Sequence, residues 1–216
     1  MKVKICGLKY PDNIEKIIQL MPDYVGFIFY KHSKRYVDNC INADLVSKIS
    51  NYTTPVAVTV NAKLDELKAL HRNLGFRYFQ LHGEETVEMI KEIKNQISSS
   101  LVLIKVFNVD ESFNFSELSH YQPFVDFFLF DTKGKERGGN GEIFNWNILK
   151  NYTLNKPYWL SGGIGEDNIN KLFSMFKYLP KPYLLDLNSK LESEPGVKNI
   201  KITAQLIQKI KAHSLP

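Results

Sequence analysis

Cysteine is scarce in this 216-residue sequence, which holds two, Cys6 and Cys40. Two cysteines cannot build a disulfide framework, and neither lies in the C-x-x-C spacing of a zinc or redox site. Both are expected as free thiols of a reducing compartment, Cys40 as a small buried hydrophobe. Long apolar runs are missing too: none approaches the roughly 20 residues of a membrane span. Lys2 and Lys4 interrupt the first apolar stretch, so a secretory signal is not expected either. These absences point to a cytoplasmic protein that does not engage membranes. The 28 Lys and Arg exceed the 23 Asp and Glu, but form no block of five or six and are not interleaved with aromatics. A nucleic-acid partner is therefore not expected. His32 and His82 follow different apolar runs, with no partner at ligand spacing, so no metal is expected. With no linker or low-complexity stretch, residues 1–216 read as one domain.

What is present is a repeating alternation. Short apolar runs centre near Val3, Val25, Val56, Phe79, Val102, Phe127, Tyr158 and Leu184, about 22 to 31 residues apart. Each interval fits one strand and one helical crossover. Helical stripes fall between several of them. Ile14, Ile17, Ile18 and Met21 share a face after Pro11-Asp12, and Leu64, Leu67, Leu70 and Leu74 precede a stop at Gly75. Val87, Ile90, Ile93 and Ile97 form another stripe, and Ile200, Ala204, Ile207, Ile210 and Lys211 trace the last. The segments Phe113–Tyr121 and Phe144–Tyr152 carry weaker patterns. Eight such units predict an α/β fold, a single (β/α)8 TIM barrel.

In a barrel every strand ends on one face, where active sites lie. Cys6 closes the first apolar run and Asp131 the sixth, so a thiol and a carboxylate are expected on one rim. The other rim segments are equally specific. They include Gly26-Phe27-Ile28-Phe29 followed by Ser33-Lys34-Arg35-Tyr36, then Gln80-Leu81-His82-Gly83, and Asp131-Thr132-Lys133 followed by Gly138-Gly139-Asn140-Gly141 and Phe144-Asn145-Trp146. Ser161-Gly162-Gly163 comes next, and the last runs from Asp186 through Ser189 and Glu192 to Pro195-Gly196-Val197-Lys198.

In this order, and from residue 3 to about residue 202, these motifs resemble those of the phosphoribosylanthranilate isomerases of tryptophan biosynthesis. The resemblance implies a cofactor-free Amadori rearrangement of N-(5-phosphoribosyl)anthranilate to 1-(2-carboxyphenylamino)-1-deoxyribulose 5-phosphate. Cys6 matches the family's base at sugar carbon 2, and Asp131 matches the acid that opens the furanose ring. The base is expected to have its pKa lowered by nearby positive charge. The acid is expected to have its pKa raised by the apolar approach Phe127–Phe130. Arg35 matches the arginine for the anthranilate carboxylate, which a guanidinium can grip bidentately. Gln80, His82 and Asp186 are expected to line the substrate, and Gly139, Gly141, Gly162, Gly163, Asn188 and Ser189 to hold the phosphate. The sequence departs from the family pattern at Asn188 and Lys190, and at Thr59, where phenylalanine is common. The partner is expected to be the small-molecule substrate alone, on a monomer, with a homodimer as the alternative. Two other readings remain open here: an isomerase of a different aminoaldose phosphate, and a non-catalytic phosphosugar-binding barrel.

Overall fold

Alternation within each apolar run decides the architecture, because successive strand side chains face opposite sides of a sheet. In the computed structural model, which describes residues 1–37, 40–132 and 145–213, every one of the eight runs is a strand. They are β1 (Lys2–Cys6), β2 (Tyr24–Ile28), β3 (Thr54–Thr59), β4 (Tyr78–Leu81), β5 (Val102–Val109), β6 (Phe127–Thr132), β7 (Tyr158–Leu160) and β8 (Leu184–Leu187). All are parallel to their neighbours, and β8 pairs back onto β1 to close a barrel. The helices between them are α1 (Pro11–Ile18), α2 (Ala43–Ser50), α3 (Leu64–Leu74), α4 (Val87–Gln96), α5 (Leu118–Tyr121) and α6 (Ile169–Met175). A two-stranded hairpin, β9 (Glu192–Glu194) and β10 (Val197–Lys198), follows β8, and α7 (Ile200–His213) ends the fold.

Two apolar clusters result. Val3, Ile5, Val25, Phe27, Phe79, Phe128 and Phe130 face outward into the shell of helices. Tyr24, Val56, Ile104, Val106, Leu129, Trp159 and Leu184 fill the barrel itself. Trp159 sits at its centre, with ring centroids 5.1 Å from Tyr24 and 5.4 Å from Phe127.

Several sequence expectations change locally. Met21 lies beyond α1, at φ 52° and exposed, because the helix stops at Ile18. Gly75 does stop α3, at φ 82°. Within residues 113–121, Phe115–Glu117 is a short 3-10 turn and Leu118–Tyr121 the single-turn α5, and Trp146–Asn151 is a 3-10 turn. Cys40 is exposed rather than buried, since it lies in the connection ahead of α2, outside both apolar clusters. Thr59 follows the outward Ala57 by two, so it faces the helices and does not shape the mouth.

Candidate active site

The inward face of the barrel changes character toward the strand ends. On β1, Lys4 and Cys6 occupy the positions whose outward neighbours are Val3 and Ile5. Lys4 is fully buried, and its ammonium donates to Gln80 Oε1 at 2.7 Å and Asp186 Oδ2 at 2.8 Å. Register sets this up, since Lys4 and Asp186 are opposite each other across β1 and β8. Space for it comes from Gly26 on β2. A Cβ there would lie 2.8 Å from Cys6 Sγ and 3.1 Å from Lys4 Nζ, so any side chain would displace both.

Across the mouth, Asp131 lies one residue from the end of β6, with its carboxylate Oδ2 3.5 Å from His82 Nε2. Asp131 shares a face with Phe127 and Leu129 only. Phe128 and Phe130 belong to the outer shell, so half of the anticipated apolar approach points away from the carboxyl. Asp186 feels the fields of both Asp131 and His82, which places the three on one rim.

The electrostatics differ from expectation at the thiol. Burial pushes the Cys6 thiol above its ordinary value, and Lys4 and Lys198 recover only part of that shift. Burial likewise raises the Asp186 carboxyl, with Lys4 opposing. Burial disfavours charge on Lys4, but Asp186 and Cys6 outweigh it and hold the ammonium above its usual range. The anticipated lowering at Cys6 is therefore overturned by desolvation. Asp186 Oδ1 and His82 Nε2 are buried and make no hydrogen bond among the described residues.

Arg35 does not lie open to a ligand along its whole length. Its Nε lies 2.8 and 3.0 Å from the two Glu192 oxygens, and Nη2 lies 2.5 Å from Oε2. Its side fork is thus occupied, and the end fork of Nη1 and Nη2 is the one left to grip a second carboxylate. Its stem crosses Gly7, where a Cβ would come within 2.7 Å of both Arg35 Cδ and Asn188 Oδ1. Gly7, at φ 77°, lets the arginine and the β8 loop meet directly above Cys6.

In the expected phosphate loops, Gly162 and Gly163 have φ of 97° and 63°. Asn168 braces that turn, donating to the Gly163 carbonyl at 2.7 Å and accepting from Gly165 N at 3.0 Å. Asn188 and Ser189 follow β8 directly, beside it. Lys190 is exposed and pairs with Asp167 at 3.0 Å, tying the two loops together. Gly139 and Gly141 lie outside the described residues.

Five buried or half-buried side chains were given no site role from sequence: Lys4, Glu192, Lys198 and the outward pair Lys105–Glu85. Lys105 donates to Glu85 at 3.0 Å and to the Gly83 carbonyl at 2.7 Å, fixing the loop that carries His82. Glu85 in turn accepts from Asn61 N and Gly83 N. The available signal was a lone charge inside an apolar run, as in Leu103-Ile104-Lys105-Val106.

Parallel eight-stranded barrels carry their chemistry at the carboxyl ends of their strands, and the buried polar side chains inside this barrel gather there. The fold and site define a (β/α)8-barrel enzyme. The family model of N-(5'phosphoribosyl)anthranilate (PRA) isomerase matches residues 3–209. The chain belongs to this family. It is 34% identical over 213 residues to the N-(5'-phosphoribosyl)anthranilate isomerase of Petrotoga mobilis, covering 98% of each chain. It is 36% identical over 212 residues to that of Parabacteroides distasonis, covering 97% of this chain and 93% of the other. The crystal structure of phosphoribosyl anthranilate isomerase from Thermotoga maritima superposes with a TM-score of 0.81 at 28% identity, over 98% of this chain and 99% of that one. A further isomerase structure, in complex with reduced 1-(o-carboxyphenylamino)-1-deoxyribulose 5-phosphate, superposes with a TM-score of 0.76 at 25% identity, over 98% and 99%.

Proposed function

We propose that the chain isomerises N-(5'-phosphoribosyl)anthranilate to the corresponding aminoketose phosphate in tryptophan biosynthesis, with Asp131 as acid and Cys6 as base. The observation that carries the assignment of roles is the mouth itself. A buried thiol on β1 stands beside the Lys4–Asp186 pair, and a carboxylate on β6 stands 3.5 Å from His82.

Asp131 gives a proton to the ring oxygen as the bond from that oxygen to sugar carbon 1 breaks, leaving a protonated Schiff base. His82 orients the carboxylate for that transfer. The Cys6 thiolate then takes the proton from carbon 2, and the electron pair moves to form the enolamine, which ketonises to product. Asp186 Oδ1 is the acceptor for the anilino N–H. Lys4, already tied to Gln80 and Asp186, stabilises negative charge on Cys6 as it forms. The end fork of Arg35 takes the anthranilate carboxylate, while Glu192 keeps its side fork. Backbone N–H groups at Gly162 and Gly163, with Asn188 and Ser189, receive the phosphate. No step requires a cofactor. A working thiol at Cys6 and an exposed free thiol at Cys40 fit a reducing cytoplasm. The molecule acts on its small substrate as a monomer; sedimentation at twice the chain mass overturns that assignment.

The test is the decay of phosphoribosylanthranilate fluorescence on adding the protein, corrected for spontaneous hydrolysis. Turnover well above that background is expected. A rate equal to background contradicts the assignment.

A further inference from the structure

The hairpin after β8 carries a lysine that the reaction above does not use. Lys198 is 1% exposed. Its backbone is held twice by Asn13 of α1, whose side chain accepts from Lys198 N and donates to Lys198 O, each at 2.9 Å. The ammonium is thereby delivered at a fixed depth. It donates to Glu192 Oε1 at 2.7 Å, to Asn188 Oδ1 at 2.7 Å and to the Asn188 carbonyl at 3.2 Å. Glu192 is the same carboxylate that holds Arg35, and Gly196 N at the hairpin turn also donates to it at 3.0 Å.

Two consequences follow from this geometry. Arg35 and Lys198 share one carboxylate, so the cluster keeps a net positive charge beside the mouth. Holding Asn188 by its oxygen also turns the amide NH2 away from Lys198, leaving it as a donor.

We infer that Lys198 is a positioning residue for substrate binding. Through Glu192 and Asn188 it sets the carboxylate grip of Arg35 and the donor of the phosphate loop together. The inference rests on the proposed substrate, because it needs a ligand with two anionic ends. If Lys198 loses its charge, Glu192 neutralises Arg35 outright and Asn188 is held only by the weaker bond of a neutral amine. Binding of a dianionic ligand then weakens, and Cys6 also loses the part of its lowering that Lys198 supplies.

Burial lowers the Lys198 ammonium to about 8, with Glu192 opposing, so this loss falls within reach of ordinary assays. The charged or titratable groups facing it are Glu192, Arg35 and Cys6; Asn188 and Asn13 are its neutral partners. The substrate's phosphate and carboxylate are already ionised at this pH.

The experiment is the pH dependence of KM from pH 7 to 9.5 for the wild type, Lys198→Arg and Lys198→Met. The dissociation constant of the reduced product analogue, measured by titration calorimetry, runs in parallel. In the wild type both constants should rise about tenfold through the lysine's titration, the loss of one charge-assisted contact. Lys198→Arg should stay low across the range, because a guanidinium keeps its charge. Lys198→Met should start about tenfold high and show no inflection; its kcat at pH 7 should fall as well, because Cys6 loses part of the charge that lowers it, so the analogue's dissociation constant is the deciding readout. A flat wild-type profile, an unshifted inflection in Lys198→Arg, or a wild-type KM in Lys198→Met overturns the inference. If Lys198→Met does not fold, the wild-type and Lys198→Arg profiles decide. Absence of turnover would strike the proposed reaction, while the analogue titration would still read Lys198 separately.

Discussion

The lower and upper halves of the barrel interior are built on the same strands yet obey opposite rules. Below, Tyr24, Val56, Ile104, Leu129, Trp159 and Leu184 interlock as an apolar plug. Above, two residues further along β6 and β8, stand Asp131 and Asp186, joined by Cys6 of β1 and Gln80 of β4, with Lys4 between the layers. The lower layer gains stability from area removed from water. The upper layer gives much of that up, since buried charges must be paired to be tolerated at all. Its charges are paired in ways that leave Asp186 Oδ1 without a hydrogen bond among the described residues. A plug can be rigid and complete, whereas a site must keep open valences for its ligand.

The contrast should break most sharply at the reacting groups. Cys6→Ala and Asp131→Asn should each lower kcat by about a thousandfold, with the melting temperature nearly unchanged. Trp159→Ala should do the reverse. It removes the largest buried ring of the plug and should cost about 3–5 kcal/mol in denaturant titration, while the folded fraction keeps its kcat. Lys4→Met lies on the boundary and should lose on both counts. It strands Asp186 in the interior, for about 3 kcal/mol of stability, and the double variant with Asp186→Asn should recover part of that stability but not the activity.

The smallest effect concerns pH. Against the raising effect of burial, Arg35 and then Lys198 hold the Glu192 carboxyl below its ordinary value. A lowered carboxyl stabilises the fold above its unfolded value of about 4.3 and loses that contribution as pH falls through the folded value. The melting temperature should therefore drop below about pH 4.5, and less steeply in Arg35→Met. An equal slope in both would contradict the pairing.

The strands and most helices were legible in the sequence because their apolar spacing is also their burial. Val3 and Ile5 are apolar for the same reason that they face the helices. Met21 failed because periodicity does not say where a helix ends. Cys40 failed because residue type alone does not fix depth. The site was legible in its motifs but not in its wiring. Lys4 reads in sequence as a charge interrupting an apolar run, yet it is fully buried because Asp186 faces it from a strand some 180 residues away. Likewise Arg35 shows its ligand-gripping chemistry in sequence, but not that Glu192 already occupies one fork. Pairings across the barrel depend on register, which no local window contains.

Whether Cys6 is the base is tested most directly by the pH dependence of kcat at saturating substrate. Burial holds the thiol above its ordinary value of about 8.5, so the thiolate grows with pH. The account predicts that kcat rises through neutrality and levels off only above about pH 8.5. Iodoacetamide labelling of Cys6 in a Cys40→Ser background reads the unliganded thiol, and its midpoint should also lie above the ordinary value. A kcat that is flat above pH 7 would contradict Cys6 as the base.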